Sequence, residues 1–85
     1  MLGKQKTSPQ EAFGFVLRCL RLQAGLSQEA LALEAGLQRN YISLMELGRN
    51  QPTITTLFRL SAALEISPSE ILKEVERRVI SGLAG

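Results

Sequence analysis

The chain has 85 residues, 45% of them hydrophobic, which suits one small domain with a modest core. One cysteine and no histidine rule out an internal disulfide and the usual imidazole or thiolate metal clusters. The net charge of +2 permits nucleic-acid binding without requiring it. No apolar run is long enough to cross a membrane, and no signal-peptide core is present. These features predict a cytoplasmic globular protein without a metal or cofactor.

Five helices and no strand are predicted along the chain. Residues 1–7 are polar and are expected to form a flexible N-terminus. The first helix begins after Ser8, which has a proline next to it and Glu11 three residues later, as in a capping box. This helix should run to about Gln23 and end at Gly25, because glycine favours the left-handed conformation that stops a helix.

The next two helices are short and are separated by a tight turn. The second spans about 28–35, between the N-cap Ser27 and Gly36, and the third spans about 39–47 and ends at Gly48. Two helices joined by so short a turn form a helix-turn-helix. Its usual role is to place the second of the two helices in a DNA groove.

The last two helices also begin on hydroxyl residues. Thr53 opens the fourth, which continues to about Leu64, and Ser67 opens the fifth, which nothing interrupts before Ser81. Because the connections are short, the predicted fold is a compact all-α bundle of five helices.

The first and last helices carry more apolar surface than a single buried stripe requires. The first has a second apolar face, formed by Ala12, Phe15, Cys19 and Leu22. The candidate dimer contacts in the fifth are Val75, Val79, Ile80 and Leu83. We expect this tail to fold back onto the first helix, to form a homodimer interface, or to do both. The fourth and fifth helices, or the second apolar face of the first, are the alternative dimer surfaces. We therefore expect a flexible segment (1–7), a helix-turn-helix domain (8–72) and a C-terminal helical extension (73–85).

Short motifs stand in a fixed order from the second helix to the fifth: LSQE at 26–29, AGL at 35–37, YIS at 41–43, Glu46, Gly48, QPT at 51–53, Leu57, Ala62, Leu64, IS at 66–67 and EIL at 70–72. Together they resemble the helix-turn-helix (XRE-like) domain shared by Cro and the phage repressors. The segment 39–43 and the short chain most resemble controller proteins of restriction–modification systems. The resemblance implies a homodimeric transcriptional repressor or activator on a near-palindromic operator in double-stranded DNA, with half-sites ~34 Å apart.

The third helix has an inward and an outward face. Its outward face carries Asn40, Ser43, Leu44 and Leu47, at spacings of three, four and seven, and Arg39 flanks this face at the N-terminal end. The candidate base-reading residues are Arg39, Asn40, Ser43 and Leu44. Arg39 suits guanine, Asn40 suits adenine or a phosphate, and Leu44 suits a thymine methyl group. In isolation these residues would form an ordinary solvated helix face, but the family resemblance favours base reading.

Other polar residues are candidates for contact with the DNA phosphates, which position a protein without specifying sequence: Ser27, Gln28, Tyr41, Arg49, Asn50 and Gln51. Gln28 lies where exposed N–H groups and the helix dipole favour a phosphate. The resemblance implies that it also braces the first residues of the third helix. Tyr41 can either reach a phosphate or cover the core.

Glu46 faces inward by its spacing, and a buried carboxylate needs a partner. Relatives in the resembled family often supply an arginine from the first helix, and Arg21 stands at the matching position. We therefore predict an Arg21–Glu46 ion pair that joins the first and third helices. The alternative is a weak pair at the surface.

Some features depart from the family pattern. Leu33 and Leu47 replace residues that are normally polar, and Phe15 and Val16 replace charged ones. They favour an alternative function, a protein-interaction module such as an antitoxin. No second domain follows the fifth helix, so no small-molecule ligand is expected. No catalytic residues are predicted, because the chain lacks histidine, a phosphate-binding glycine loop and converging carboxylates.

Overall fold

The structure is a computed structural model that describes the backbone of residues 7–84 and the side chains of 7–81. It contains five helices: α1 (Pro9–Gln23), α2 (Gln28–Ala35), α3 (Arg39–Glu46), α4 (Ile54–Leu64) and α5 (Pro68–Ala84). No strand occurs in the described part, which confirms the predicted all-α bundle. Residues 1–6 of the expected flexible N-terminus lie outside the described residues. The expected domain boundary after residue 72 falls inside α5, which is continuous there.

Side-chain caps begin four of the five helices. At α1 the Glu11 amide donates to Ser8 Oγ at 3.1 Å, and the Ser8 amide donates to Glu11 Oε1 at 3.4 Å. This is the predicted capping box. Ser27, Thr53 and Ser67 accept in the same way from the amides three residues later. α3 differs, because Gln38 at its N-cap position forms no side-chain capping bond.

The chain reverses after α4 without a glycine. Glu65 ends that helix with φ 59°, and it is the one non-glycine residue of the described part with positive φ. A left-handed conformation costs a residue with a Cβ about 1–2 kcal/mol. The predicted end of α4 at about Leu64 is confirmed, although the glycine that usually ends a helix is absent here.

Every helix contributes to one core. The largest fully buried side chains are Leu17, Leu31, Ile42, Met45, Leu60 and Ile71. α1 is central to this core, because it packs against both α3 and α5. Ala12, which we expected on the outer face of α1, is completely buried as a result.

α5 packs along the second apolar face of α1. The guanidinium of Arg78 lies over the Phe15 ring, 3.6 Å from its centroid, in a cation–π contact. Val75 is buried in the core, and Val79 packs against it. Val75 is thus mostly buried within the single chain, and its assignment as a dimer contact stays a prediction. The Leu83 side chain lies outside the described residues. No helix of the described part is long and apolar enough to span a membrane.

Gly14 allows α1 and α3 to approach closely. A Cβ at this position would collide with the carbonyl oxygen of Met45 and lie 3.0 Å from that of Glu46. Both neighbours are backbone atoms near the end of α3, so rotation of a side chain cannot relieve the contact. Gly14 therefore sets the distance between these two helices.

Replacing Gly14 with alanine should destabilise the protein. In an open helix this change would stabilise by about 1 kcal/mol. Here the overpacking should instead lower the free energy of unfolding by about 1–3 kcal/mol. Urea unfolding followed by circular dichroism measures the difference, and Arg18→Ala on the exposed side of α1 is the control. A more stable Gly14→Ala variant would contradict the close approach of α1 and α3.

Candidate nucleic-acid interface

The turn between α2 and α3 is fixed by one left-handed residue and two hydrogen bonds. Gly36 adopts φ 70°, and the following amide, that of Leu37, donates to the carbonyl of Ala32 at 2.8 Å. Arg59 of α4 donates to the Gly36 carbonyl at 3.3 Å. These contacts hold α3 at a set angle to α2, as a helix-turn-helix requires.

The inward face of α3 is anchored as its spacing predicted. Ile42 and Met45 are completely buried, and the side chain of Glu46 is only 4% exposed. On the other side, Arg39 and Asn40 are exposed at the first turn. α3 therefore presents its N-terminal end to solvent on a rigid base.

The remaining outward residues differ in exposure. Ser43 and Leu44, also predicted to read bases, are half-buried, whereas Leu47 is 62% exposed at the end of α3. The outward face is therefore polar at its start and apolar at its end.

A buried ion pair ties α3 to α1. Arg21 Nε donates to Glu46 Oε2 at 2.6 Å, and its Nη2 donates to Glu46 Oε1 at 2.9 Å. The remaining Arg21 Nη1 donates to the carbonyl of Leu26, in the α1–α2 connection, at 2.9 Å. The hydrogen bond with Glu46 raises the pKa of Arg21 above its ordinary value, so the guanidinium stays charged. The predicted ion pair is thus present, bidentate and buried.

Gln28 joins the same network from the start of α2. Its Nε2 donates to Glu46 Oε1 at 3.1 Å. The expected bracing of α3 therefore acts on its last residue rather than on its first ones. The cause is that the Glu46 carboxylate is the acceptor facing the start of α2. Gln28 keeps one amide hydrogen and its carbonyl oxygen for other partners.

Ser27 lies beside Gln28 as the N-cap of α2. Its Oγ accepts from the Ala30 amide at 3.0 Å, and the side chain is exposed. Because the hydroxyl accepts in this bond, its own hydrogen is free to donate to a phosphate.

The loop after α3 is held against that helix. The amides of Arg49 and Asn50 both donate to the Leu44 carbonyl, at 2.9 and 3.3 Å. Tyr41 donates from its hydroxyl to the Gln51 carbonyl at 3.4 Å. The backbone amides of Arg49 and Asn50 are therefore engaged, and the exposed side chains remain for a phosphate.

A contact that the sequence did not reveal holds the loop from the other side. Gln10 Nε2, in the first turn of α1, donates to the carbonyl of Gly48 at 2.7 Å. The two residues are 38 positions apart, so no local pattern could indicate the contact.

The candidate surface carries unpaired positive charge. Within residues 7–81, Arg39 and Arg49 form no ion pair, whereas the charge of Glu46 is balanced by Arg21. In the same part of the chain, no group of three potential metal ligands comes together. The unpaired positive charge suits an anionic partner.

A family model described as helix-turn-helix matches residues 17–71, from the second half of α1 into α5. The chain belongs to the helix-turn-helix family. The resemblance to Cro and the phage repressors is thereby confirmed, as is the expected fold.

Solved structures of other helix-turn-helix proteins are similar to the chain. The clp gene regulator ClgR from Corynebacterium glutamicum has a TM-score of 0.88 and 26% identity, covering 93% of this chain and 84% of that one. The restriction–modification controller protein C.AhdI from Aeromonas hydrophila is 40% identical with a TM-score of 0.71, covering 73% and 94%. The controller protein C.Esp1396I, a tetramer in complex with its natural 35-base-pair operator, is 28% identical with a TM-score of 0.78, covering 88% and 99%.

The Arg21–Glu46 pair should show strong coupling in a double-mutant cycle. Either Arg21→Ala or Glu46→Ala leaves an unpaired buried charge and should lower the free energy of unfolding by about 3–5 kcal/mol. The double variant should lose much less than the sum of the two, since no charge is then left alone.

The exposed pair Lys73–Glu70, with its atoms 3.7 Å apart, serves as the control. Lys73→Ala should change stability by no more than about 1 kcal/mol. Thermal or urea unfolding measures the stability of all variants. Strict additivity of the Arg21 and Glu46 effects would contradict a stabilising ion pair between them.

Proposed function

We propose that this helix-turn-helix protein is a sequence-specific transcriptional regulator that binds a near-palindromic operator as a homodimer. The exposed first turn of α3, held by the buried ion pair, is the observation that carries the proposal. A recognition helix reads base edges mainly with its N-terminal residues. The protein acts in the cytoplasm and needs neither catalysis nor a cofactor for this role.

Base reading is assigned to the outward residues of α3. Arg39, exposed and without an ion-pair partner in the described part, suits a bidentate contact with guanine. Asn40 beside it suits adenine. Ser43 and Leu44 are half-buried, so they reach bases only when α3 lies deep in the major groove. Leu44 would then contact a thymine methyl group.

Phosphate contacts are assigned to both flanks of α3. Ser27 and Gln28 lie on one flank, at the start of α2, and each has a hydrogen left to donate. On the other flank are Tyr41 and the exposed loop 49–51, where Arg49 supplies the positive charge. Contacts on both sides fix the register of α3 on the duplex without carrying sequence information.

Arg39 and Arg49 should affect DNA binding differently. Arg39→Ala should weaken operator binding by about 1–3 kcal/mol and relax the preference at one base pair. Arg49→Ala should weaken binding to every duplex and reduce the slope of log affinity against log salt by about one. Fluorescence anisotropy with operator and random duplexes measures both effects. Equal losses on the two duplexes for Arg39→Ala would contradict its role in base reading.

We propose that two subunits meet through an apolar patch on α4 and α5, formed by Ile54, Phe58 and Leu72. These side chains are 70%, 57% and 48% exposed, and Ile54 and Leu72 line the same surface hollow. The alternative on the outer face of α1 is weakened because α5 occupies part of it, with Arg78 over the Phe15 ring. Among the predicted tail contacts whose side chains are described, Val75 and Val79 pack within the chain, and Ile80 is exposed.

A charge in this patch should separate the subunits. Phe58→Glu should give a monomer in sedimentation with an unchanged helical circular-dichroism spectrum, because the side chain is exposed in the single chain. Ile80→Glu, on the tail, is the matched control and should leave the dimer intact. A dimeric Phe58→Glu variant, or a monomeric Ile80→Glu variant, would contradict this choice of interface.

A further inference from the structure

The hydrogen bond between Gln10 and Gly48 joins two parts of the molecule that otherwise have separate tasks. Gln10 lies in the first turn of α1, and Gly48 begins the loop that follows α3. The donor–acceptor distance is 2.7 Å, and the bond is partly buried. Glu11 packs beside it, since a Cβ on Gly48 would lie 3.3 Å from Glu11 Cγ. The loop therefore starts against α1 with little freedom.

All other hydrogen bonds described for residues 48–51 return to α3 itself. The amides of Gly48, Arg49 and Asn50 donate to carbonyls of that helix, and the Gln51 carbonyl accepts from Tyr41. Gln10 is thus the hydrogen-bonding link between this loop and another helix. Without that link, all hydrogen bonds that set the direction in which Arg49 leaves α3 would lie within one short segment.

We infer that Gln10 is a positioning residue for DNA binding, which acts by fixing the loop that carries Arg49 against the DNA backbone. The inference rests on the proposed function. A side chain held in its bound direction loses less conformational freedom on binding. Because Arg49 meets phosphate rather than a base, Gln10 should influence affinity for all duplexes and its salt dependence. It should not influence the choice of sequence.

The variant Gln10→Met tests this role, because methionine has a similar length and no amide hydrogen. It should weaken binding to operator and random duplex by the same factor, on the order of threefold to tenfold, as expected for one hydrogen bond. The salt slope should fall toward that of Arg49→Ala. Gln23→Met, an exposed glutamine at the end of the same helix, should leave affinity and slope unchanged.

Two double variants separate positioning from general destabilisation. In an Arg49→Ala background, Gln10→Met should cause no further fall in the salt slope and a much smaller loss of affinity, since only the uncharged contacts of the loop remain. In an Arg39→Ala background it should have its full effect, since Arg39 lies at the other end of α3. A merely structural role would add equally to both, and urea unfolding shows that each variant is folded at the binding temperature.

The outcomes distinguish the inference from the function beneath it. An unchanged salt slope for Gln10→Met, or an additive loss with Arg49→Ala, overturns the role of Gln10 and leaves operator binding standing. If the folded wild-type protein binds no duplex, the proposed function fails and the inference falls with it.

Discussion

The buried ion pair between Arg21 and Glu46 is the interaction on which the position of α3, and of its exposed residues Arg39 and Asn40, depends. It joins α1 to α3 and also binds the α1–α2 connection through the Leu26 carbonyl and the start of α2 through Gln28. In a domain this small, one unpaired buried charge would remove a large share of the total stability. The pair therefore does more than stabilise, because it fixes the direction of α3 relative to two other helices.

The buried contacts on the inner side of α3 explain how so short a helix can hold its exposed residues in fixed positions. Eight residues would be only marginally helical in water, so the tertiary contacts must hold them. Ile42 and Met45 fill the core beneath, and Gly14 allows α1 to come close enough to complete it. The side chains of Arg39 and Asn40 are exposed and make no core contact, so both are available to bind a partner.

Local signals in the sequence predicted the helices, and the family resemblance together with the inward spacing of Glu46 predicted its ion pair with Arg21, 25 positions away. Other contacts between distant segments were not predicted. Capping residues such as Ser8 act within one turn, so they can be recognised in the sequence. The roles of Gly14 and Gln10 depend on α3 and its loop, more than 30 positions away. The burial of Val75 in the core was not predicted for the same reason, because an apolar pattern does not reveal which side of α5 meets the other helices.

The most direct test is selection of binding sites from randomised duplexes with the purified protein at near-physiological salt. Enrichment of a two-fold symmetric site, with half-sites about one helical turn apart, is the expected result for a dimer that reads DNA through α3. No enrichment by a folded, dimeric protein would contradict that role. It would favour instead a module that binds another protein, such as an antitoxin.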